Sequence, residues 1–114
     1  MALAFGLEGM DTRFPKRELG SELGAVSLHR LDPGVRQPFG HRHERQEEHY
    51  VVVEGSGRIN VGGEVVELAP WDVIRVPPDE MRAFEAGPDG LEFLAFGAPL
   101  GESQTALTEQ GWWG

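Results

Sequence analysis

Apolar positions come in short bursts along the chain, broken by glycine, proline and acidic residues, and no long segment repeats at the 3.6-residue helical period. Ala25 to Leu31 (AVSLHRL) has strand character and stops at Asp32-Pro33-Gly34, a turn sequence. Arg36 to His43 reads as a second extended segment, and Glu44 to Glu47 as a polar break. His49 to Glu54 (HYVVVE) is the clearest strand, with a β-branched run at its centre. Gly55-Ser56-Gly57 reads as a turn. Arg58 to Val61 and Glu64 to Leu68 flank Gly62-Gly63, a two-residue hairpin loop that sets Ile59 opposite Val66 and Arg58 opposite Glu67. Trp71 to Val76 and Met81 to Glu85 are strands on either side of Pro77-Pro78-Asp79. Gly87-Pro88-Asp89-Gly90 reads as a further turn before the apolar strand Leu91 to Phe96. Strands this short and this evenly spaced predict an all-β sandwich or barrel. Residues 1–24 read as an N-terminal arm with one short strand and 25–97 as the barrel. Residues 98–114 read as a C-terminal tail whose Trp112-Trp113 docks on the barrel or on a partner subunit.

Composition narrows the function classes. The 114 residues suit one domain with its own core. The absence of cysteine excludes disulfides, thiolate metal sites and cysteine nucleophiles, and fits a reducing, cytoplasmic setting. The first basic residue is Arg13, so the start lacks the charged region of a secretion signal. No apolar run reaches the length of a membrane-spanning helix. A formal net charge of −9 argues against nucleic acid or an anionic membrane as partner. Sixteen glycines and eight prolines match a fold with many turns.

The candidate chemistry is concentrated in HRHERQEEHY, residues 41–50, which holds three of the four histidines. His41 and His43, two apart on a strand, project from one face and converge. Two imidazoles with a carboxylate from the next strand form a ligand set for Fe(II), Mn(II), Ni(II) or Zn(II). H-E-x-x-H is excluded, because Glu47 stands where its second histidine would fall. The alternative for an isolated H-x-H is a polar loop entering a strand. Alternation puts Glu48, Tyr50, Val52 and Glu54 on one face and Glu47, His49, Val51 and Val53 on the other, without saying which is inside.

From Gly34 to Gly55 the chain resembles the first motif of the cupin family. Six residues follow Gly34, then comes His41-Arg42-His43, four further residues, Glu48, six more and Gly55. The leading spacer is one residue longer than the family's usual one. The likeness covers roughly residues 25–97, and Ser56 to Pro70 is similar to the short inter-motif hairpin of small bacterial cupins. It implies a small double-stranded β-helix, or jelly-roll, barrel. It also selects Glu48 as the carboxylate beside His41 and His43, which turns Tyr50 inward and His49 outward. His29 lies outside the motif and reads as an ordinary strand histidine.

The second motif of that family is degenerate in WDVIRVPPDEMRAFEA, residues 71–86. Pro77 and Asp72 match, but Trp71 and Asp79 stand at glycine positions, Ala86 at the asparagine position and Arg82 at the fourth metal ligand. Arginine has five donors and no lone pair to offer a metal. Two accounts stay open. In one, a metal is held by three residues and Arg82 anchors an anionic substrate; in the other, Arg82 pairs with Glu48 in a metal-free site.

By parity, Gln37 and Phe39 join His41 and His43, and Phe84 joins Arg82, as candidate substrate contacts, with barrel core as the alternative for the aromatics. Tyr50 and Glu47 are candidates for moving protons. The expectation is a homodimeric cupin acting on a small metabolite with a divalent metal, and the alternative a metal-free module that binds small anions.

Overall fold

The computed structural model describes residues 3–5, by backbone alone, together with 8–99 and 107–113. The strands are β1 (Leu3–Phe5), β2 (Met10–Phe14), β3 (Ala25–Leu31), β4 (Phe39–Arg42), β5 (Glu47–Val61), β6 (Glu64–Leu68), β7 (Val73–Val76), β8 (Arg82–Ala98) and β9 (Leu107–Gln110). One helical turn, α1 (Lys16–Leu19), lies between β2 and β3. All nine strands among the described residues belong to one curled antiparallel sheet, the barrel expected from the strand pattern.

Its spine is the pair β5 and β8, matched from Glu47 opposite Ala98 to Val61 opposite Arg82. β3 runs along the other edge of β8 from Ala25 to Leu31, and His41 of β4 meets Arg82 at the strand's start. β6 and β7 complete the other edge of β5. The hairpin register places Ile59 opposite Val66 and Arg58 opposite Glu67, as its two-glycine loop requires.

Two expected turns are not turns. Gly55-Ser56-Gly57 lies within β5, and Gly87-Pro88-Asp89-Gly90 within β8. The register slips between Val52 and Glu54 and again between Gly55 and Gly57, which marks bulges. Gly55 has φ +84 and Gly90 φ +80, and a Cβ on Gly55 would collide with the carbonyl oxygen of Gly90. Glycine permits both the left-handed backbone and the close crossing that let two long strands bend together. The N-terminal arm carries β2 on the edge of β3 and β1 on the edge of β2, where the sequence suggested one strand.

The core is Leu31, Tyr50, Val52, Ile59, Leu68, Val76, Phe84, Ala86, Leu91, Phe93 and Ala95. Phe84 stacks on Phe93 at 4.0 Å, and Tyr50 meets Phe84 edge-on at 4.9 Å. These rings plug the barrel below the His41 end of β4. Tail residues 107–110 pair with β4, and the Trp112 ring packs over Gly40, where any Cβ would crowd it. Trp112 Nε1 donates to the Asn60 carbonyl at 3.1 Å.

Candidate metal centre

Residues from two strands and the loop between them meet at one oxygen. β4 delivers His41, and His43 follows it, fixed by its backbone N–H to the Pro78 carbonyl at 2.7 Å. β5 delivers Glu48 and Tyr50 on one face, since they are two apart. His41 Nε2 and His43 Nε2 each lie 3.3 Å from Glu48 Oε1, and the two rings meet edge to face at 5.3 Å. The Tyr50 hydroxyl donates to the same oxygen at 2.5 Å. His41, His43 and Glu48 offer ligand atoms within 4.8 Å of one another and can hold a metal ion. Their side chains are 25 %, 15 % and 12 % exposed, so the set sits at the barrel mouth.

The group fits a metal on its own chemistry. Among the described residues His43 Nε2 is buried and has no hydrogen-bond partner, despite its closeness to Glu48. A buried polar atom left unmatched is costly, and a metal ion between the imidazole and the carboxylate would match it. Burial pushes the Glu48 carboxyl up, but the neighbouring His41 and His43 imidazoles and the Tyr50 hydroxyl outweigh it. Glu48 is held well below the usual carboxylate range, ionised and ready to ligate.

Arg82 is beside this set and fully sealed. It is 0 % exposed, and Nη1 and Nη2 donate to the carbonyls of His41 and Pro77, each at 3.3 Å. Nη2 is 3.8 Å from Glu48 Oε1, a long ion pair, and Nε has no partner among the described residues. A guanidinium tied to backbone on two sides and closed from solvent does not reach out as an anion anchor. The guanidinium thus stands beside Glu48 at long ion-pair distance, an arrangement compatible with both accounts of the site.

Other expected site residues scatter. Gln37 Oε1 accepts from the Phe84 backbone N–H at 2.9 Å, so its amide closes a strand edge. Phe84 is buried core, below the mouth. Phe39 is half-buried on β4 opposite Gln110, between barrel and tail. Glu47 is turned away from the centre: it pairs with Arg75 at 2.6 Å on the outer face, because parity opposes it to Glu48. There it lines a shallow depression of about 390 Å³ with His49, Val26 and Phe96. Tyr50 is in the site, but burial, and next the Glu48 charge, raise its hydroxyl well above the usual phenol range. A phenol so buried holds Glu48 in place and is a poor proton donor to anything else.

Sequence reasoning missed His29. It faces inward, stacked on Phe93 at 4.7 Å and bonded to Ser27 Oγ at 2.7 Å. Its strand lies one removed from β5: Ser27, two residues away on the same face, is opposite Ala95, which is opposite Tyr50. Alternation groups it with Ser27 and Leu31, but Val26 and Leu28 make the opposite face equally apolar, so the pattern carried no inward signal.

The family model described as the cupin domain matches residues 27–96. Among solved structures, a cupin protein from Bacteroides fragilis is 28 % identical, with TM-score 0.74 over 91 % of this chain and 89 % of its own. The oxalate decarboxylase of Bacillus subtilis, for which Mn(II) centres are described, is 25 % identical with TM-score 0.82. The match covers 96 % of this chain but 30 % of the decarboxylase. A Streptomyces protein solved with uridine shares the fold at 22 % identity, with TM-score 0.78 over 96 % of this chain and 85 % of its own. No curated protein matches the chain.

Proposed function

Because the chain belongs to the cupin family, with residues 27–96 forming the domain, we propose that its barrel mouth binds a divalent transition metal at His41, His43 and Glu48 and uses it on a small metabolite. The observation that supports this most is His43 Nε2, buried and without a hydrogen bond, facing an ionised Glu48. A bound Fe(II), Mn(II), Ni(II) or Zn(II) ion supplies Lewis acidity to a ligand oxygen at neutral pH. The protein's part is orientation. His41 and His43 present lone pairs, Tyr50 fixes one carboxylate oxygen, and Arg82 sets the background charge. Metal content by elemental analysis, with titration calorimetry of the metal-stripped protein, tests the reading. His43→Ala should weaken binding roughly a hundredfold; equal affinity in parent and variant would reject it.

A second reading has its own observation, the sealed Arg82 at 3.8 Å from Glu48. Here the ion pair replaces the metal, and the barrel is a metal-free module for small anions. Metal-free protein that saturates with small carboxylates and ignores divalent ions would select it.

Phe96, Leu28 and Val73 are exposed on the outer face of the sheet, and this supports homodimerisation there. Sedimentation should then give a dimer at tens of micromolar, on the order of ordinary homodimer concentrations, and a monomer would count against it. Among the described residues no helix is long and apolar enough to cross a membrane. The cysteine-free sequence supports a reducing cytoplasmic compartment.

A further inference from the structure

A second polar group lies on the inner wall, across β8 from the metal set. Thr12 sits opposite His29, and His29 opposite Phe93. Ser27 sits opposite Ala95, and Ala95 opposite Tyr50; one row on, Ala25, Gly97 and Glu48 align. The inward residues of β8 between the two groups are therefore Ala95 and Gly97, and the Gln46 side chain covers Gly97, which leaves Ala95 as the small residue between them. Ser27 Oγ and His29 Nε2 share a hydrogen bond of 2.7 Å, and Thr12 Oγ1 lies 3.4 Å from His29 Nδ1. Phe93 below at 4.7 Å and Phe14 edge-on at 6.4 Å fix the ring.

We propose that Thr12, His29 and Ser27 form a ligand-binding wall that takes the uncharged oxygen of a small hydroxy acid whose carboxylate faces His41, His43 and Glu48. The carboxylate end rests on the metal reading above; the wall does not.

Proton counting carries the first half. A neutral imidazole has one N–H and one lone pair, so one hydroxyl donates to His29 and the other accepts from it. The accepting hydroxyl keeps its own O–H free, in either tautomer. Neither hydroxyl has another partner among the described residues. The wall thus always offers one spare donor beside lone pairs. Burial holds the imidazole neutral, with its pKa lowered to about 4, so no cation is present to balance an anion there. An uncharged hydroxyl or carbonyl matches it.

Charge carries the second half. The Arg82 guanidinium 3.8 Å from Glu48 balances that carboxylate, so a divalent ion leaves the mouth with surplus positive charge, which suits an anion. β3 and β5 flank β8 and stand about 10 Å apart at ordinary strand spacing. A ligand bridging two strands at that spacing, past the Gln46 side chain over Gly97, needs roughly three to five carbons.

The test uses the full chain loaded with Zn(II) and three pairs of probes: 3-hydroxypropionate against propionate, 4-hydroxybutyrate against butyrate, and 5-hydroxypentanoate against pentanoate. For at least one pair the hydroxy acid should bind about tenfold or more tightly, since a site built for a hydroxyl rejects the analogue lacking it. Ser27→Ala and Thr12→Val should reduce that ratio to within about twofold while Zn(II) affinity stays at the parental value. In the parent, the His29 ring ¹⁵N signals should move with the hydroxy acid and not with its partner, a readout that needs no variant to fold. If Zn(II) fails to bind, the metal reading falls and the same ratios on metal-free protein judge the wall. No pair preferring the hydroxyl, or a preference that survives both substitutions, overturns the proposal.

Discussion

Between His41 and Glu48 the chain aims two imidazoles and a carboxylate at one point; between Trp71 and Ala86 it passes the same point and contributes a guanidinium. The first segment holds two imidazoles and a carboxylate, and the second a fixed cation with two of its donors on backbone carbonyls. The difference also shows in the backbone. Trp71, at a position where the family motif has glycine, has φ +71, the positive value that glycine adopts without strain. One segment has kept the geometry of a metal site, while the other has kept the path of the strand and exchanged its chemistry. The lesson is that Glu48 has a counter-charge with or without a metal, so any ion that binds must do so against a resident positive charge.

Arg82→Met breaks the contrast most severely. It leaves Glu48 buried without its cation and should cost about 3–5 kcal/mol of stability in denaturant unfolding. An unchanged midpoint would mean that the pair contributes nothing. Arg82→His sharpens the contrast, because it places a lone pair where the guanidinium stood. The metal-free variant should lose a comparable few kcal/mol, about 3. Its affinity for a divalent transition metal should rise by roughly tenfold or more by calorimetry, and added metal should restore part of the melting temperature.

Acid separates the two sides of the mouth next. Folding lowers the His29 pKa from 6.5 to about 4, through burial first, with Glu48 opposing and His41 assisting. Between those values the unfolded chain binds a proton that the folded chain refuses. Stability is therefore full above the unfolded pKa and falls as pH drops towards 4, by on the order of 3 kcal/mol. His29→Gln should remove most of that loss between pH 7 and 4.5, read as denaturant midpoints. An equal acid loss in the variant would place the sensitivity elsewhere.

The smallest effect belongs to Trp71. The residue is 73 % exposed, so little packing is at stake. Trp71→Gly should relieve the left-handed backbone and stabilise by about 1 kcal/mol, seen as a higher melting temperature. A lower one would show that the ring has contacts that matter more than its φ.

Much of this was readable beforehand, for reasons that differ by residue. The Gly62-Gly63 hairpin was legible to its register because a two-residue loop leaves one pairing. His41, His43 and Glu48 were legible because strand parity and motif spacing agree. Gly55 and Gly90 misled, since glycine marks turns and bulges alike and only the partner strand distinguishes them. Glu47 was misplaced because adjacency in sequence is opposition across a strand. His29 was hidden because its neighbours are apolar on both faces, and what decides its direction is β2 and β8, far away in sequence.

The Trp112 ring rests on Gly40, the residue immediately before His41. That places a fluorophore beside one of the proposed ligands, supplied by the chain's own tail. Loading Ni(II) or another open-shell ion should therefore be visible as dimmed tryptophan emission without any label. The same seat warns the experimenter about handles. Because residues 107–110 pair with β4 while β1 lies at the opposite edge of the sheet, a C-terminal purification tag should lower the metal affinity of the proposed site more than an N-terminal one.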